Sequence, residues 1–196
     1  GYAMLRPGEY GFPKTLRLPV IVKPVAEGST VGITLVESMP QWRNALDKVF
    51  NLKSPALVEA YVKGREITVG IIGGRALPVI EIRFPGAMYD YDAKYVHNKG
   101  ETLYLCPPPS GSIPPAKQRI AQQTALDFYK AIGARDILRV DMILSDTDGK
   151  FYVLEGNSLP GFTDSSLVPK AARQDGMTFT ELCAKLATLV RSRAKL

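Results

Sequence analysis

The feature that most constrains this chain is an apolar strand pattern that ends in two oxygen-bearing side chains, the segment FYVLEGN at residues 151–157. Side chains two apart on a β-strand point to the same face of a sheet. Glu155 and Asn157 can therefore present a carboxylate and an amide oxygen on one side, where both can contact the same cation. Oxygen ligands of this kind are preferred by hard cations such as Mg²⁺.

A second strand pattern, LRVDMIL, lies just upstream and places Arg139 and Asp141 on a common face. The turn between the two strands has Gly149 at the position where a three-residue hairpin loop requires a left-handed residue. The predicted register sets Asp141 opposite Glu155 and Arg139 opposite Asn157. Three oxygen ligands and one guanidinium on one face suit Mg²⁺ together with a phosphate.

The alternative is that these carboxylates are ordinary solvated strand ends, because acidic strand termini and Asp-Gly turns are common. The surrounding strands favour the metal-site hypothesis. An Arg–Asp pair within apolar strands is unfavourable unless it is well paired and serves a function.

The composition is that of a soluble globular protein, with 45% hydrophobic and 22% charged residues in a chain of 196. This length supports one large domain or two small lobes. No apolar run approaches the roughly 20 residues needed to cross a bilayer, and the N-terminus lacks a signal-peptide pattern. Cys106 and Cys183 lie far apart, which indicates a reducing compartment and predicts a cytoplasmic protein without a membrane partner.

The net charge of +6 is compatible with nucleic-acid binding or with an anionic small ligand. Its basic residues are scattered, and no aromatic-rich RNA-binding pattern accompanies them. We therefore predict a nucleotide ligand and no nucleic-acid partner.

The pattern of helices and strands predicts a mixed α+β fold with mostly antiparallel sheets. Residues 1–19 show no periodicity and are predicted to form a loop, and residues 85–115 are predicted to form a long functional loop. Strands are predicted at residues 18–23, 31–36 and 56–62, with a hairpin of 66–72 and 76–84 through Gly73-Gly74.

Four helices are predicted from capping residues and apolar spacing. The first is capped by Ser38, and the last begins with a capping box of Thr178 and Glu181. The other two are predicted near residues 114–132 and 168–174. The apolar residues expected in the core from the first and last helices are Trp42, Ala45, Leu46, Val49, Phe50, Leu182, Leu186, Leu189 and Val190.

Lys23 ends an apolar strand and is followed by the small-residue loop EGSTVG at residues 27–32. Backbone N–H groups of such loops can bind phosphates, and a lysine adds a point charge. The loop matches no Walker pattern, and small-residue hairpins are often simply turns. Taken alone, this motif therefore leaves both interpretations open.

Together with Asp141 and the Glu155-x-Asn157 pair, this motif makes the chain resemble the ATP-grasp superfamily, and specifically the D-alanine–D-alanine ligases. The resemblance extends from about Leu18 to Leu189. It rests on the motifs IVKP (21–24), EGS (27–29), YDYDAKY (89–95), LCP (105–107), RVD (139–141), EGNSLPGFT (155–163), SLVP (166–169) and AARQ (171–174).

The resemblance implies an ATP-grasp fold of two lobes that grip a nucleotide, with residues 1–63 as a partial small lobe and 64–196 as the large lobe. It implies an ADP-forming ligase of peptidoglycan precursor synthesis, and hence a role in cell-wall biogenesis and cell shape. One D-alanine carboxylate would attack the γ-phosphate of ATP, and the amine of a second D-alanine would attack the acyl-phosphate. Two Mg²⁺ ions are implied, with Mn²⁺ as a substitute, and full-length members are expected to be homodimers.

The resemblance also implies residue roles. Lys23 and Lys94 would contact ATP phosphates, Glu59 the adenine amino group and Glu66 the ribose. Tyr61, Val62 and Leu154 would line the nucleotide site. Asp141, Glu155 and Asn157 would hold the metals, Glu155 bridging them. Arg139 and the Gly161 N–H would stabilise the oxyanion, Ser166 and Leu167 would bind the second substrate's carboxylate, and Ser29 and Tyr95 would order the substrate loops.

The chain departs from the family pattern in two respects. An N-terminal substrate domain is expected in the family and is absent from this sequence, which leaves a fragment or a shortened homologue as alternatives. Ala60 follows the predicted adenine-binding Glu59, where the family usually has lysine. Two other functions remain open: a carboxylate–amine ligase with other substrates, and a non-catalytic nucleotide-binding module.

Overall fold

The computed structural model describes residues 1–26, 31–83 and 102–193, and the chain divides into two compact units. The first unit runs from Gly1 to Val62, and the second comprises Lys63–Arg83 and the residues from Leu103 onward. Each unit combines an antiparallel sheet with at least one helix, so the predicted α+β class is confirmed.

In the residues that the structure describes, the first unit forms a four-stranded sheet with one helix. The strands are β1 (Tyr2–Leu5), β2 (Val20–Pro24), β3 (Thr34–Val36) and β4 (Ala56–Ala60), in the order β1-β4-β2-β3. The helix α1 (Met39–Asn51) is preceded by Ser38, whose backbone N–H donates to the side chain of Gln41 at 3.0 Å. This helix packs on one face of the sheet. Its buried residues, together with those of β2 and β4, are Val20, Val22, Trp42, Ala45, Leu46, Val49, Ala56 and Val58.

The strand β1 corrects the prediction that residues 1–19 form a loop. Its residues alternate between exposed and half-buried, so no fully buried face marks it in the sequence. Pairing with β4, in which Tyr2 lies opposite Glu59, is what holds it in place. The strand is therefore a consequence of tertiary pairing, which local periodicity does not reveal.

The second unit is a six-stranded sheet with three helices. Its strands are β5 (Gly64–Ile72), β6 (Arg75–Ala76), β7 (Ile80–Arg83), β8 (Leu103–Leu105), β9 (Ile137–Ser145) and β10 (Phe151–Asn157). The order is β10-β9-β5-β7-β8, and β6 pairs with β5. The helices are α2 (Pro115–Ala131), α3 (Leu167–Gln174) and α4 (Phe179–Arg193).

The two faces of this sheet carry different residues. One face packs against α2 and forms the core, with Ile67, Val69, Leu138, Val140 and Met142 against Ala121 and Ala125. The opposite face carries Glu66, Thr68, Arg139 and Asp141. The helix α3 packs on that second face. Its Val168 lies so close to β5 that a Cβ added to Gly70 would be 3.4 Å from it.

The hairpin through Gly73-Gly74 is confirmed, but its second strand is interrupted. Only Arg75–Ala76 continue the turn, and β7 begins at Ile80, because Pro78 between them has no N–H to donate to a strand ladder. The predicted loop at residues 85–115 contains β8, which pairs with β7 and was missed because it is only three residues long. Residues 85–101 of that segment lie outside the described residues.

The predicted helices are confirmed in place, with one error in the core. Leu182 of α4 is fully buried and Leu186 and Leu189 are half-buried, whereas Val190 is 50% exposed and does not belong to the core. The N–H and hydroxyl of Thr178 donate to Glu181 at 2.8 and 2.7 Å, as the capping box predicts. Within the described ranges, no helix is both long and apolar enough to span a membrane.

Candidate functional site

Four polar side chains converge where β9 and β10 pair, and we refer to Arg139, Asp141, Glu155 and Asn157 as the β9–β10 cluster. Asp141 lies opposite Glu155, and Arg139 lies opposite Asn157. The register predicted from the sequence is therefore confirmed at the cluster.

The loop between β9 and β10 is one residue longer than predicted. Ser145 donates its backbone N–H to the carbonyl of Lys150 at 2.9 Å, so the loop holds four residues, 146–149, instead of three. The register then shifts between Val153 and Glu155, which makes Leu154 the extra residue of a β-bulge. The extra loop residue shifts the pairing of the two strands by one position, and the bulge shifts it back. Asp141 therefore lies opposite Glu155, as predicted.

Hydrogen bonds tie the cluster together around Asp141, whose side chain is only 10% exposed. Arg139 donates from Nε to Oδ1 of Asp141 at 2.9 Å and from Nη2 to Oδ2 at 2.7 Å. The Nδ2 atom of Asn157 donates to Oδ2 of Asp141 and to Oε1 of Glu155, both at 3.1 Å. The two-pronged contact with Arg139 fixes the orientation of the buried carboxylate.

The donor set of the cluster suits a hard cation. The N–H group of Asn157 lies between two carboxylates, a position that favours a positive charge. Rotating the side-chain amide by half a turn would place its oxygen at this position instead of the N–H group. Asp141, Glu155 and Asn157 then offer three oxygens, which fit Mg²⁺ better than softer metals. Among residues 1–26, 31–83 and 102–193, no three His, Cys, Asp or Glu side chains converge as a metal-binding group, so the amide is needed.

Gly156 lets α2 approach the strand between the two candidate ligands on β10. A Cβ at this position would lie 2.6 Å from Cε1 of Phe128, well inside van der Waals contact. The aromatic ring therefore packs directly on the backbone that carries Glu155 and Asn157. Sequence reasoning missed this contact, and a glycine between two candidate ligands was its only indication in the sequence.

Two predicted nucleotide contacts of the second unit lie near the cluster on the same sheet. Glu66 pairs with Ile143, which places it on the face that carries Arg139 and Asp141. It is half-buried there. Leu154 lies at the bulge and is 37% exposed, so its side chain is accessible to a ligand.

The predicted substrate-binding residues gather in the turn before α3. The Oγ of Ser166 accepts a hydrogen bond from the N–H of Thr163 at 3.0 Å, and a Cβ at Gly161 would lie 3.3 Å from that oxygen. Leu167 is the first residue of α3, so Ser166 and Leu167 occupy a helix N-terminus, where anions are favoured. The ring of Phe162 lies 5.5 Å from that of Phe179 and anchors the turn to α4.

Lys23 and Glu59, the predicted nucleotide contacts of the first unit, form an ion pair with each other. Lys23 lies opposite Leu57, and Glu59 lies opposite Ile21, so the two side chains are diagonal neighbours on the face away from α1. Tyr61 and Val62 lie just after β4 and are half-buried, and the N–H of Tyr61 donates to the carbonyl of Pro19 at 3.1 Å.

Three predicted site residues, Ser29, Lys94 and Tyr95, lie outside the described residues, so their roles stay predictions. The Lys23–Glu59 pair was missed by sequence reasoning, because it depends on the pairing of β2 with β4.

The chain is similar to known proteins both in sequence and in structure. The family model described as "D-ala D-ala ligase C-terminus" matches residues 11–188. The D-alanine–D-alanine ligase of Syntrophotalea carbinolica is 38% identical over 186 residues, which are 95% of this chain and 59% of that protein. The chain thus spans less than two thirds of the length of this curated relative.

Two solved structures of D-alanine–D-alanine ligase from Bacillus anthracis are similar over the whole chain. The one complexed with ATP has a TM-score of 0.81 and 29% sequence identity, and the match covers 61% of it. The other has a TM-score of 0.81 and 31% identity, with 62% of it covered.

Proposed function

The chain belongs to the D-ala D-ala ligase C-terminus family, and from this premise we propose that it carries the ATP-, Mg²⁺- and D-alanine-binding groups of an ADP-forming D-alanine–D-alanine ligase. The observation that carries the proposal is the convergence of Asp141, Glu155 and Asn157 around one point, with Arg139 beside them. Such a set of oxygen donors next to a guanidinium suits a metal-bound phosphate.

In this proposal Asp141, Glu155 and Asn157 would hold the two Mg²⁺ ions that accompany ATP, with Mn²⁺ as a substitute. The metal would supply neutralisation of phosphate charge. The fit rests on this chain's own residues, because Asp141 is already oriented by Arg139 and the Asn157 amide already contacts both carboxylates.

The proposal includes the roles that the family resemblance implies for the nucleotide-binding residues. Glu59 would accept a hydrogen bond from the adenine amino group, and Lys23 and Lys94 would contact phosphates. Glu66 would bind the ribose hydroxyls. Tyr61, Val62 and Leu154 would pack against the base. The exposure of Leu154 at the bulge and the half-buried positions of Tyr61 and Val62 support these assignments.

The peptide-forming step would use groups at the end of β10 and the start of α3. Arg139 and the backbone N–H of Gly161 would stabilise the oxyanion that develops when an amine attacks an acyl-phosphate. Ser166 and Leu167 would bind the carboxylate of the second D-alanine at the N-terminus of α3. Ser29 and Tyr95 would order the loops around the substrates.

A D-alanyl-D-alanine product would be used for peptidoglycan precursors, and hence for cell-wall biogenesis and cell shape, in the cytoplasm. A homodimer is the corresponding proposal for the oligomeric state of the full-length family members. Both proposals rest on the family to which the chain belongs.

The proposal is tested by measuring Mg²⁺-dependent ATP binding to the chain by calorimetry, and D-alanine-dependent release of phosphate. We expect Glu155→Gln to weaken Mg²⁺-ATP binding by at least about tenfold, because one charged ligand is lost. Asp146→Asn, a change of the same kind in the adjacent exposed loop, should have no effect. Unchanged Mg²⁺-ATP affinity in Glu155→Gln would contradict the proposal.

The two alternatives give different outcomes in the same assays. A carboxylate–amine ligase with other substrates would release phosphate with another amino acid from a panel of D- and L-forms, but not with D-alanine alone. A non-catalytic module would bind Mg²⁺-ATP without phosphate release under any of these conditions.

A further inference from the structure

The Lys23–Glu59 ion pair leaves one oxygen of the carboxylate available. Nζ of Lys23 contacts Oε2 of Glu59, and the side chains of Lys23 and Glu59 are 19% and 35% exposed, respectively. In the part of the chain that the structure describes, Oε1 of Glu59 accepts no hydrogen bond. The ammonium group has three N–H donors, so it can hold Glu59 and still contact a phosphate.

The pair also determines how Glu59 can recognise a purine. An ionised carboxylate only accepts hydrogen bonds, so Oε1 can pair with a 6-amino group but not with a 6-oxo group. A half-exposed glutamate without a partner would sample several rotamers, and its full negative charge would repel the ring nitrogens that flank the amino group. Lys23 removes both disadvantages, because it fixes the side chain and balances its charge.

We propose that Lys23 is a positioning residue for base selection: by holding Oε2 of Glu59, it aims Oε1 at the 6-amino group of adenine and so excludes 6-oxo purines. This inference rests on the ATP site proposed above and adds a role for Lys23 that is separate from phosphate binding. It assigns nucleobase discrimination to the first unit alone, where both residues lie.

The experiment compares ATP with ITP, which carries a 6-oxo group, by calorimetry with the 196-residue chain in the presence of Mg²⁺. ATP and ITP make the same contacts through their phosphates, ribose and metal, so these contacts cancel in the ratio of the two dissociation constants. For the unmodified chain we expect ATP to bind at least about tenfold more tightly than ITP, because ITP leaves Oε1 facing another acceptor. Glu59→Gln should abolish this preference, because an amide can turn to accept or to donate.

Lys23→Met should bring the ATP-to-ITP ratio to within about twofold of that of Glu59→Gln, and the double variant should show no further change. Lys23→Arg should retain the preference, because a guanidinium also pairs with a carboxylate. Lys48→Met is the matched control: it removes a lysine from the exposed side of α1 and should leave the ratio unchanged. Lys23→Gln provides the same test should Lys23→Met fail to fold.

The inference is overturned by a Lys23→Met chain that binds ATP and ITP more weakly by the same factor, with the preference intact. That result would assign Lys23 to phosphate contact only and would leave the ATP site standing. An unmodified chain that binds neither nucleotide would instead overturn the proposed function together with this inference. The two failures are therefore distinguishable.

Discussion

The β9–β10 cluster and the Lys23–Glu59 pair are two ionic arrangements on sheet faces turned away from the α1 or α2 core, but they differ in how firmly the fold holds them. Asp141 has a 10% exposed side chain and accepts hydrogen bonds from Arg139 and Asn157 on strands of nine and seven residues. Glu59 has a 35% exposed side chain and one ionic partner, on strands of five residues each.

This difference is consistent with the different roles proposed for the two arrangements. A buried carboxylate with several partners has one orientation, which suits metal ligands that must converge within a few tenths of an ångström. A partly exposed ion pair contributes little to stability, so its residues can be used for recognition at little structural expense. The predictions below test this contrast by comparing how much each arrangement contributes to folding.

The largest effect is expected for Asp141→Ala. Removing a buried carboxylate takes away the hydrogen bonds that it accepts from Arg139 and Asn157, and we expect the free energy of unfolding to fall by about 3 kcal/mol. Chemical denaturation measures this change. The control is Asp146→Ala, in the exposed loop, where Oδ1 of Asp146 lies 3.8 Å from Nε of Arg65. This substitution should change the free energy of unfolding by less than about 0.5 kcal/mol. Equal effects of the two substitutions would remove the basis of the contrast.

Gly156→Ala should have the next largest effect, because the new Cβ would lie 2.6 Å from the ring of Phe128. We expect destabilisation by about 2 kcal/mol, together with weaker Mg²⁺-ATP binding as the strand between the two ligands shifts. Phe128→Leu should recover part of both losses in the double variant, because it removes the clashing ring atom. A double variant no better than Gly156→Ala would show that steric contact with Phe128 is not the cause.

A smaller effect on stability is expected for Glu59→Ala in the first unit. The ion pair with Lys23 is partly solvated, so its loss should lower the free energy of unfolding by only about 0.5 kcal/mol. Chemical denaturation of the two single variants Glu59→Ala and Asp141→Ala, measured in parallel, compares the two arrangements directly. A loss at Glu59 as large as that at Asp141 would mean that both arrangements are structural.

The smallest effect concerns pH and the loop that leads into β10. The hydroxyl of Tyr152 donates to Asp148 at 2.8 Å and lowers the pKa of that carboxyl below its ordinary value of 3.8. A depressed carboxyl pKa stabilises the fold above the unfolded-state pKa, and this contribution is lost as the pH falls through the folded-state pKa. The loss therefore occurs in acid, below about pH 4.

An NMR titration of the carboxyl groups checks this prediction. In Tyr152→Phe the pKa of Asp148 should rise towards 3.8, whereas the lowered pKa of Glu181, held by Thr178, should not change. An unchanged Asp148 pKa would show that the hydrogen bond from Tyr152 does not hold the loop.

The contrast between the two arrangements also explains what the sequence could predict. The β9–β10 cluster follows from side-chain alternation along two strands separated by a short turn, which is local information. The four-residue loop and the bulge at Leu154 were not predictable, because they depend on how β10 packs against β9 and on the contact of Gly156 with Phe128.

The Lys23–Glu59 pair joins residues far apart in the sequence, so no local pattern indicates it. The strand β1 was missed for the same reason, since its pairing partner β4 follows more than fifty residues later. The starts of α1 and α4, by contrast, were predicted correctly, because Ser38 and the Thr178–Glu181 box mark them by local hydrogen bonding.

The central claim, that Asp141, Glu155 and Asn157 bind the metal that accompanies ATP, is tested most directly by a crystal structure of the chain with ATP and Mn²⁺. The anomalous scattering of Mn²⁺ locates the ion independently of any assumption about its ligands. We expect an anomalous peak within about 2.2 Å of oxygens from all three side chains, with the Asn157 amide turned so that its oxygen faces the ion. ATP bound with its Mn²⁺ away from these three residues, or with the cluster still closed by the Asn157 N–H group, would contradict the account.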